Sequence, residues 1–307
     1  MKNKLTRKLM LSAFTLLFAV ISLGASTYAW FTISNKAEVE TFTADVKSAE
    51  GIKIGITADS TAEPTTWYTG KLPTEAIEPF YTSEQNPFQF DAVTTTNANL
   101  GTFNKLASGV TTGVADGGYI KFTLWIEAEV DGVVSLESLN ITGSNTNSYK
   151  IDQQFAIQAT GAEGTSFSAD LEEEWTFNVA SAARVALQHG SSKYFYEAPA
   201  AEATETVNDE NPNTGVAGNS LGFSSAEKGA LQYYNKKTDS ELAAPNPASS
   251  YSSAVFSTMQ KIADLEANNA IAIDVYVWIE GWDAECLNAI FGQTLAVSFL
   301  FDFDPEE

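Results

Sequence analysis

A run of oxygen-bearing side chains at residues 209–215 has the composition of a calcium loop. Asp209, Asn211 and Asn213 stand at alternate positions, and Gly215 follows. Hard divalent cations bind such alternating oxygens. The glycine, however, stands one residue later than the usual loop requires, and no glutamate completes the ligand set. We interpret the segment as an acidic turn and keep calcium as the alternative.

A second acidic group surrounds a short turn near the C-terminus. Glu280, Asp283 and Glu285 flank Gly281-Trp282. These carboxylates either bind calcium or cap a following helix, which we predict over residues 283–291 with Asp283 as its N-cap. Capping is the favoured interpretation, so no cofactor is predicted.

The chain is poor in the residues that most enzymes use. His189 is the single histidine and Cys286 the single cysteine. A zinc-protease helix needs two histidines, and the chain has one. His189 is predicted in a surface loop and Cys286 as a buried thiol, and one cysteine forms no intramolecular disulfide. We therefore predict that the protein is not an enzyme.

The N-terminus has the order of an export signal. Basic residues precede an apolar run at residues 9–26, and Ser26-Thr27-Tyr28-Ala29 leads directly into Trp30. This order of charge, apolar run and small-x-small site predicts cleavage between Ala29 and Trp30. The alternative is a retained membrane anchor, because the run is about as long as the shortest spanning helix, roughly 18 residues. Residues 9–26 are the only predicted membrane contact.

Composition limits the partners. The formal net charge is −22, and 44% of the 307 residues are hydrophobic. Such a charge repels nucleic acid and anionic membrane surfaces, so neither is expected as a partner. The apolar fraction is enough for a core, and the length fits one large all-β domain or two ordinary ones.

Apolar residues alternate with polar ones along much of the chain, which predicts half-buried β-strands. The predicted strands lie near residues 42–46, 52–56, 88–92, 120–126, 136–141, 175–179, 183–187, 194–196, 271–279 and 295–303. About ten strands with turn-rich links predict an all-β antiparallel sandwich over residues 48–307 with few short helices. Residues 252–270 fit a helical stripe or irregular packing. Residues 198–250 are predicted as a long surface insertion, with a domain boundary as the alternative.

Two strands carry a similar pattern. Phe122–Glu127 and Val275–Glu280 share an aromatic-glutamate spacing at Trp125 and Trp278. An internal duplication is one explanation, and equivalent positions in two sheets is the favoured one. Both tryptophans are predicted on the outward face, as exposed aromatics.

The N-terminal residues resemble those of the TasA/camelysin family of exported Gram-positive proteins. The matching features are Thr27-Tyr28-Ala29 after the apolar run and the aromatic start Trp30-Phe31-Thr32. The closing strands 271–279 and 295–303 are similar more loosely. The resemblance implies cleavage by a SipW-type signal peptidase, a strand near Val39–Lys47 and a jelly-roll domain. It also implies an extracellular biofilm-matrix fibre in which residues 30–47 donate a strand to the next subunit.

The mature N-terminus gives this implication independent support. Trp30, Phe31, Thr32 and Ile33 form an uncharged, largely apolar tip with no local partner. Strand addition to another subunit would cover it, and folding back on its own domain is the alternative. We therefore expect a secreted homo-polymer at the cell surface. The alternative function is a sandwich that binds glycans or host surfaces as an adhesin, through exposed aromatics at Trp67, Tyr68, Trp125 and Trp278. Camelysin-type metalloproteolysis is disfavoured because no zinc motif occurs.

Overall fold

The structure is a computed structural model. It describes residues 36–37, 42–48, 51–81, 90–107, 110–143, 147–150, 174–198, 252–254, 258–281, 290 and 293–306. Only the backbone is considered for 36–37, 42–48, 106–107, 110–112, 147–150, 174–177 and 252–253. Within these residues the protein is an all-β sandwich of two sheets.

The first sheet is built around one long central strand, β16 (Ile271–Glu280). Its other members are β1 (Lys36–Ala37), β3 (Ile52–Thr57), β4 (Tyr68–Thr69), β5 (Phe90–Thr94), β6 (Asn104–Ala107), β7 (Val110–Val114), β8 (Ile120–Ala128), β12 (Ala183–His189), β13 (Ser192–Glu197) and β14 (Ser252–Ser253).

The two edges of β16 organise this first sheet. One edge pairs antiparallel with β12, which continues to β13 and β14. The other edge pairs antiparallel with β8 as far as Val277, and β8 continues to β3 and β4. Beyond the start of β8, the same edge pairs in parallel with β5 at Ile279 and Glu280. The strands β5, β6 and β7 thus extend the sheet from the C-terminal end of β16, past the last residue that pairs with β8.

The second sheet has four strands in the order β15 (Gln260–Leu265), β9 (Gly132–Gly143), β17 (Leu295–Pro305) and β2 (Phe42–Ser48). The pairs β15–β9 and β9–β17 are antiparallel. The strand β2 runs parallel to β17, from Leu295↔Phe42 to Phe301↔Ser48. An N-terminal strand therefore forms one end of this sheet.

One hydrophobic core joins the two sheets. Alternate residues of β8 and β16 on the first sheet, among them Phe122 and Val275, face alternate residues of β9 and β17, among them Phe299. All three side chains are buried. This inward alternation is the pattern that two packed sheets require, and burying a side chain of this size stabilises the fold by about 1.5–3 kcal/mol.

Short helices complete the described part of the chain. Helix α1 (Thr74–Ile77) and a 3₁₀ helix (Glu78–Phe80) pack beside β2 and β8, with Ile77 buried in the core. Helix α2 (Val179–Ala182) is capped by Asn178, whose Oδ1 accepts the Ala180 N–H at 2.9 Å. A separate hairpin pairs β10 (Asn147–Lys150) with β11 (Glu174–Phe177).

The all-β sandwich prediction is confirmed, and every predicted strand overlaps an observed one. The finer jelly-roll topology stays a prediction. The helical interpretation of residues 252–270 is wrong, because this region contains the strands β14 and β15. The two similar segments do not lie in two sheets: β8 and β16 are antiparallel neighbours, with Phe122 opposite Val275. The predicted helix at 283–291 and nearly all of the 198–250 insertion lie outside the described residues.

Candidate assembly site

The predicted cleavage site and assembly strand precede the first described strand. Ala29 and the segment Trp30–Ile33 lie outside the described residues. The chain is first described at β1, where Lys36 pairs with Asp91 of β5. It then crosses to the second sheet and forms β2. Residues 36–37 and 42–47 of the predicted donor segment 30–47 therefore pair with strands of their own chain, which leaves residues 30–35 as the part considered for donation.

The strand β2 is a terminal strand of the second sheet. One side pairs with β17, and helix α1 packs close to it. A strand at such a position presents backbone groups to any further strand. The strand confirms the prediction of a β-strand near Val39–Lys47, with a start at Phe42.

The remaining strand ends of the sandwich are short or irregular. Both β4 and β14 have two residues. The strand β15 carries a bulge between Lys261 and Ala263, and the Tyr194 hydroxyl donates a 3.2 Å hydrogen bond to the Lys261 carbonyl. Short strands, bulges and charged side chains are the usual means by which proteins keep sheet edges from pairing with other chains.

Residues 90–119, which we call the lobe, end in a different kind of edge. The strand β7 has five residues, Val-Thr-Thr-Gly-Val, of which none is charged, and its pairing with β6 shifts register between Lys105 and Leu106. It pairs with β6 on one side, and no other described strand lies on its second side. Val114 at its end is 70% exposed, the highest value among the large hydrophobic residues of the described chain.

The lobe covers the outer face of the first sheet and buries Trp278. The Phe103 ring meets the Trp278 ring edge-on at 5.3 Å between centroids, and Phe195 lies on another side at 6.4 Å. Trp278 is completely buried in this second cluster. The prediction that Trp278 is an exposed aromatic is therefore wrong. Alternation correctly placed Trp278 on the side of β16 that faces away from the main core. The lobe, however, covers this side of the strand.

Trp125 is buried as well, at 7% exposure, so its prediction as an exposed aromatic is also wrong. Its indole Nε1 donates a 2.7 Å hydrogen bond to Oγ1 of Thr57. Gly55 lies opposite Trp125 in the sheet, and a Cβ at Gly55 would overlap the ring of Pro64. The segment that contains Pro64 thus passes close over this outer face. The close approach is possible because Gly55 has no side chain.

A buried group of charged side chains lies close to Trp278. Arg184 is opposite Trp278 in the sheet and fully buried, and its Nη2 lies 3.3 Å from Oε2 of Glu197. Its Nη1 donates to the Ser181 carbonyl at 2.8 Å. Glu280 is also fully buried and accepts the Trp278 Nε1–H at 3.1 Å. Burial of charge requires such partners, so the group is a structural network.

Glu280 is one of the three acidic residues that the sequence places around the C-terminal turn as a calcium site or helix cap. Its carboxylate is held beneath the lobe by Trp278, whereas Asp283 and Glu285 lie outside the described residues. The Asp209–Gly215 segment and Cys286 also lie outside them. Among described residues, no group of three or more histidine, cysteine or acidic side chains is placed to hold a metal ion.

Lys105 joins two strands and a turn at the surface of the lobe. Its Nζ lies 2.9 Å from Oδ2 of Asp91 and 3.0 Å from Oδ1 of Asp116. The hydrogen bonds to Asp91 and Asp116 raise the pKa of Lys105, and the hydrogen bond from Lys105 lowers the pKa of Asp116. Because Asp116 is 92% exposed at its side chain, water screens this pair strongly.

His189 is the last residue of β12 and is half-buried, so its prediction in a surface loop is wrong. Its Nδ1 lies 2.9 Å from the Ala272 carbonyl oxygen, which accepts a hydrogen bond in the Nδ1-protonated tautomer. This contact gives His189 a structural role between β12 and β16.

A deprotonated phenol is strongly disfavoured at Tyr276, the neighbour of Trp278 on the outer face. Burial, with smaller effects of Asp274 and Tyr119, raises the pKa of Tyr276 to about 12. The outer face therefore keeps this hydroxyl neutral well above neutral pH.

A comparison with protein-family models and with curated proteins gives no match for this chain. Within the described residues, no helix has both the length and the apolar content to cross a membrane. The features on which a function can be argued are therefore the sheet edges and the N-terminal sequence.

Sequence reasoning missed the β7 edge. The run Val110–Val114 contains the β-branched residues that favour strands, and Ser108-Gly109 before it is a turn signal. These two signals together predict a hairpin. The position of that hairpin at the end of the first sheet depends on long-range pairing with β16 through β5 and β6, which the local sequence does not encode.

Proposed function

We propose that the protein is an exported structural subunit that polymerises into an extracellular fibre or biofilm matrix at the surface of a Gram-positive-type bacterium. Its N-terminal strand is donated to the next subunit after cleavage between Ala29 and Trp30. The observation that carries the proposal is the placement of the first described strands. Both β1 and β2 lie at margins of the sheets, directly after the uncharged tip Trp30–Ile33.

Charge explains why strand addition suits this chain. Cleavage after Ala29 removes Lys2, Lys4, Arg7 and Lys8 and takes the formal net charge from −22 to −26. Subunits of this charge repel one another, and contact through their acidic side chains would increase that repulsion. Strand addition instead uses backbone hydrogen bonds and alternate side-chain pockets, which need no opposite charge. Trp30, Phe31, Thr32 and Ile33 carry no charge and have the β-branched and aromatic character of strand residues.

The competing function as a glycan-binding adhesin depended on exposed aromatics. Trp125 and Trp278 are both buried in the fold. The other two aromatics on which that function depended, Trp67 and Tyr68, are half-buried.

Electron microscopy of the mature chain tests the proposal. Residues 30–307 are compared with residues 36–307 and with the triple variant Trp30→Ser, Phe31→Ser, Ile33→Ser. We expect fibres from the first protein only. The matched control is the double variant Val130→Ser, Met259→Ser, which removes exposed apolar side chains elsewhere, at 50% and 51% exposure, and should polymerise normally.

Salt gives a second readout of the same proposal. Because added salt screens repulsion between like-charged subunits, polymerisation should become faster as ionic strength rises. Fibres that persist without residues 30–35 would overturn strand donation. Mass spectrometry of the exported protein should also show Trp30 as its first residue.

A further inference from the structure

We infer that the open side of β7 is the acceptor edge, along which residues 30–35 of a second copy of this chain form an added strand. The inference rests on the proposed function and identifies the surface that receives the donated segment. It follows from a comparison of the sheet edges, from the direction of backbone groups at Val114 and from charge.

The comparison of edges singles out β7. Both β4 and β14 are too short to hold an added strand, and β15 carries the charged residues Lys261 and Asp264. The edge of β2 is approached by α1, and its sequence includes Asp45 and Lys47. Among the described strands, β7 alone combines five residues, no charge and an unoccupied side. A strand of this kind is a template for pairing with another chain.

The hydrogen bonds of the lobe show which way the backbone of β7 faces. The Ala115 N–H donates to the Phe103 carbonyl at 2.8 Å, and Val114 lies opposite Asn104. Residues of an antiparallel strand alternate between pairs that exchange hydrogen bonds and pairs that do not. Since Ala115 bonds toward β6, the N–H and C=O of Val114 point to the open side, where a further strand would find them.

The charge of the edge points to its occupant. The acceptor strand β7 has no charged residue, although the full chain has a net charge of −22. A charged side chain on the added strand would lose solvation there without gaining an opposite charge, so an uncharged strand is favoured. The side chains of residues 30–35, Trp-Phe-Thr-Ile-Ser-Asn, are uncharged, and the one charge of the segment is the α-amino group that cleavage leaves on Trp30 at its end. Aromatic and β-branched residues on one strand pair favourably with valine and threonine on its neighbour.

A lysine at the acceptor edge provides the first test, because edge lysines are a natural means of preventing strand addition. We compare Val114→Lys with Val130→Lys in the mature chain. Both sites are exposed apolar positions and both variants change the net charge equally, but Val130 lies in the turn between β8 and β9. We expect Val114→Lys to raise the concentration needed for polymerisation about tenfold or more, with no such change for Val130→Lys. Equal melting temperatures of the two monomers would establish that both fold.

Disulfide trapping provides the second test, in a Cys286→Ser background. One copy carries Val114→Cys, and the other carries cysteine at one of positions 30 to 33 in turn. Opposed residues of neighbouring strands lie close enough for a disulfide. We expect mixed dimers at alternate positions only, since successive side chains of a strand point to opposite faces.

The outcomes separate this inference from the proposed function. If fibres require residues 30–35 but Val114→Lys polymerises as the wild type does, the acceptor edge is wrong and strand donation stands. If fibres form but no mixed dimer is trapped at any of positions 30 to 33, the acceptor role of β7 is overturned. A mature wild-type chain that never polymerises overturns both.

Discussion

The indole Nε1 of Trp278 donates a 3.1 Å hydrogen bond to Oε2 of Glu280, two residues further along the same strand, and both side chains are fully buried. Two residues apart on a strand, they share one face. The lobe therefore covers a large aromatic ring together with a carboxylate that this ring helps to satisfy.

Truncation of Trp278 should reveal how strongly this packing holds the lobe. Trp278→Ala should lower the free energy of unfolding by about 3–5 kcal/mol, the usual range for a fully buried aromatic. Trp278→Phe retains a ring but removes one donor to Glu280, with an expected loss of about 1–3 kcal/mol. Urea unfolding followed by circular dichroism measures both. Val130→Ala, at an exposed site, should change stability by less than about 0.5 kcal/mol; a loss as small in Trp278→Ala would contradict the buried placement.

The hydrogen bond between Trp125 and Thr57 should be measurable by a double-mutant cycle. Trp125→Phe, Thr57→Val and the double variant are compared with the wild type by urea unfolding. The coupling energy should be about 0.5–1.5 kcal/mol, the usual net value of such a bond. Thr57→Ser retains the hydroxyl and serves as the control. A coupling energy near zero would show that the 2.7 Å contact does not contribute in solution.

Two glycines with the same backbone angle form a matched pair. Gly118 and Gly70 both have φ of +79°, but a Cβ at Gly118 would overlap Asp91, whereas one at Gly70 meets nothing within 4 Å. Substitution by alanine at either site carries the same backbone strain, about 1 kcal/mol. Gly118→Ala should therefore be the more destabilising of the two in urea unfolding. Equal losses at the two sites would mean that the contact between Asp91 and the 118 turn is not present in solution.

The pH dependence of stability should respond to Asp116. Lys105 lowers the pKa of Asp116 below its usual 3.8, so the folded state favours the charged carboxylate. A lowered folded-state pKa gives stability that is present above the unfolded value and is lost as pH falls through the folded one. Asp116→Asn should therefore reduce the loss of melting temperature below about pH 4. Val130→Ala, which changes an exposed uncharged side chain, is the control and should leave the acid limb unchanged.

The sequence predicted strands well where every second residue of a regular strand is apolar, as in β8, β16 and β17. It failed at β15 because the bulge between Lys261 and Ala263 places Ile262 and Ala263 next to each other on the buried side. This local break leaves buried residues at 262 and 265, a spacing that also fits a helix. The local pattern alone does not separate a bulged strand from a helical stripe.

The aromatic residues show a different limit. Alternation correctly placed Trp125 and Trp278 on the side of their strands opposite the main core. It did not reveal that the lobe covers Trp278 or that the segment of Pro64 passes over Gly55 beside Trp125. Such cover depends on the path of distant chain segments. The β7 edge was missed for the same reason, since the end of a sheet is a property of the whole strand order.

The parallel pair of β2 and β17 brings together the two extremes of the chain in one ladder. A nascent chain emerges N-terminus first, so β2 is synthesised long before the strand that must accompany it. Pairs so distant in sequence carry a large loop-closure entropy and slow the folding of β proteins. The second sheet therefore closes only after synthesis of its last strand, and until then the early strand is available to other molecules.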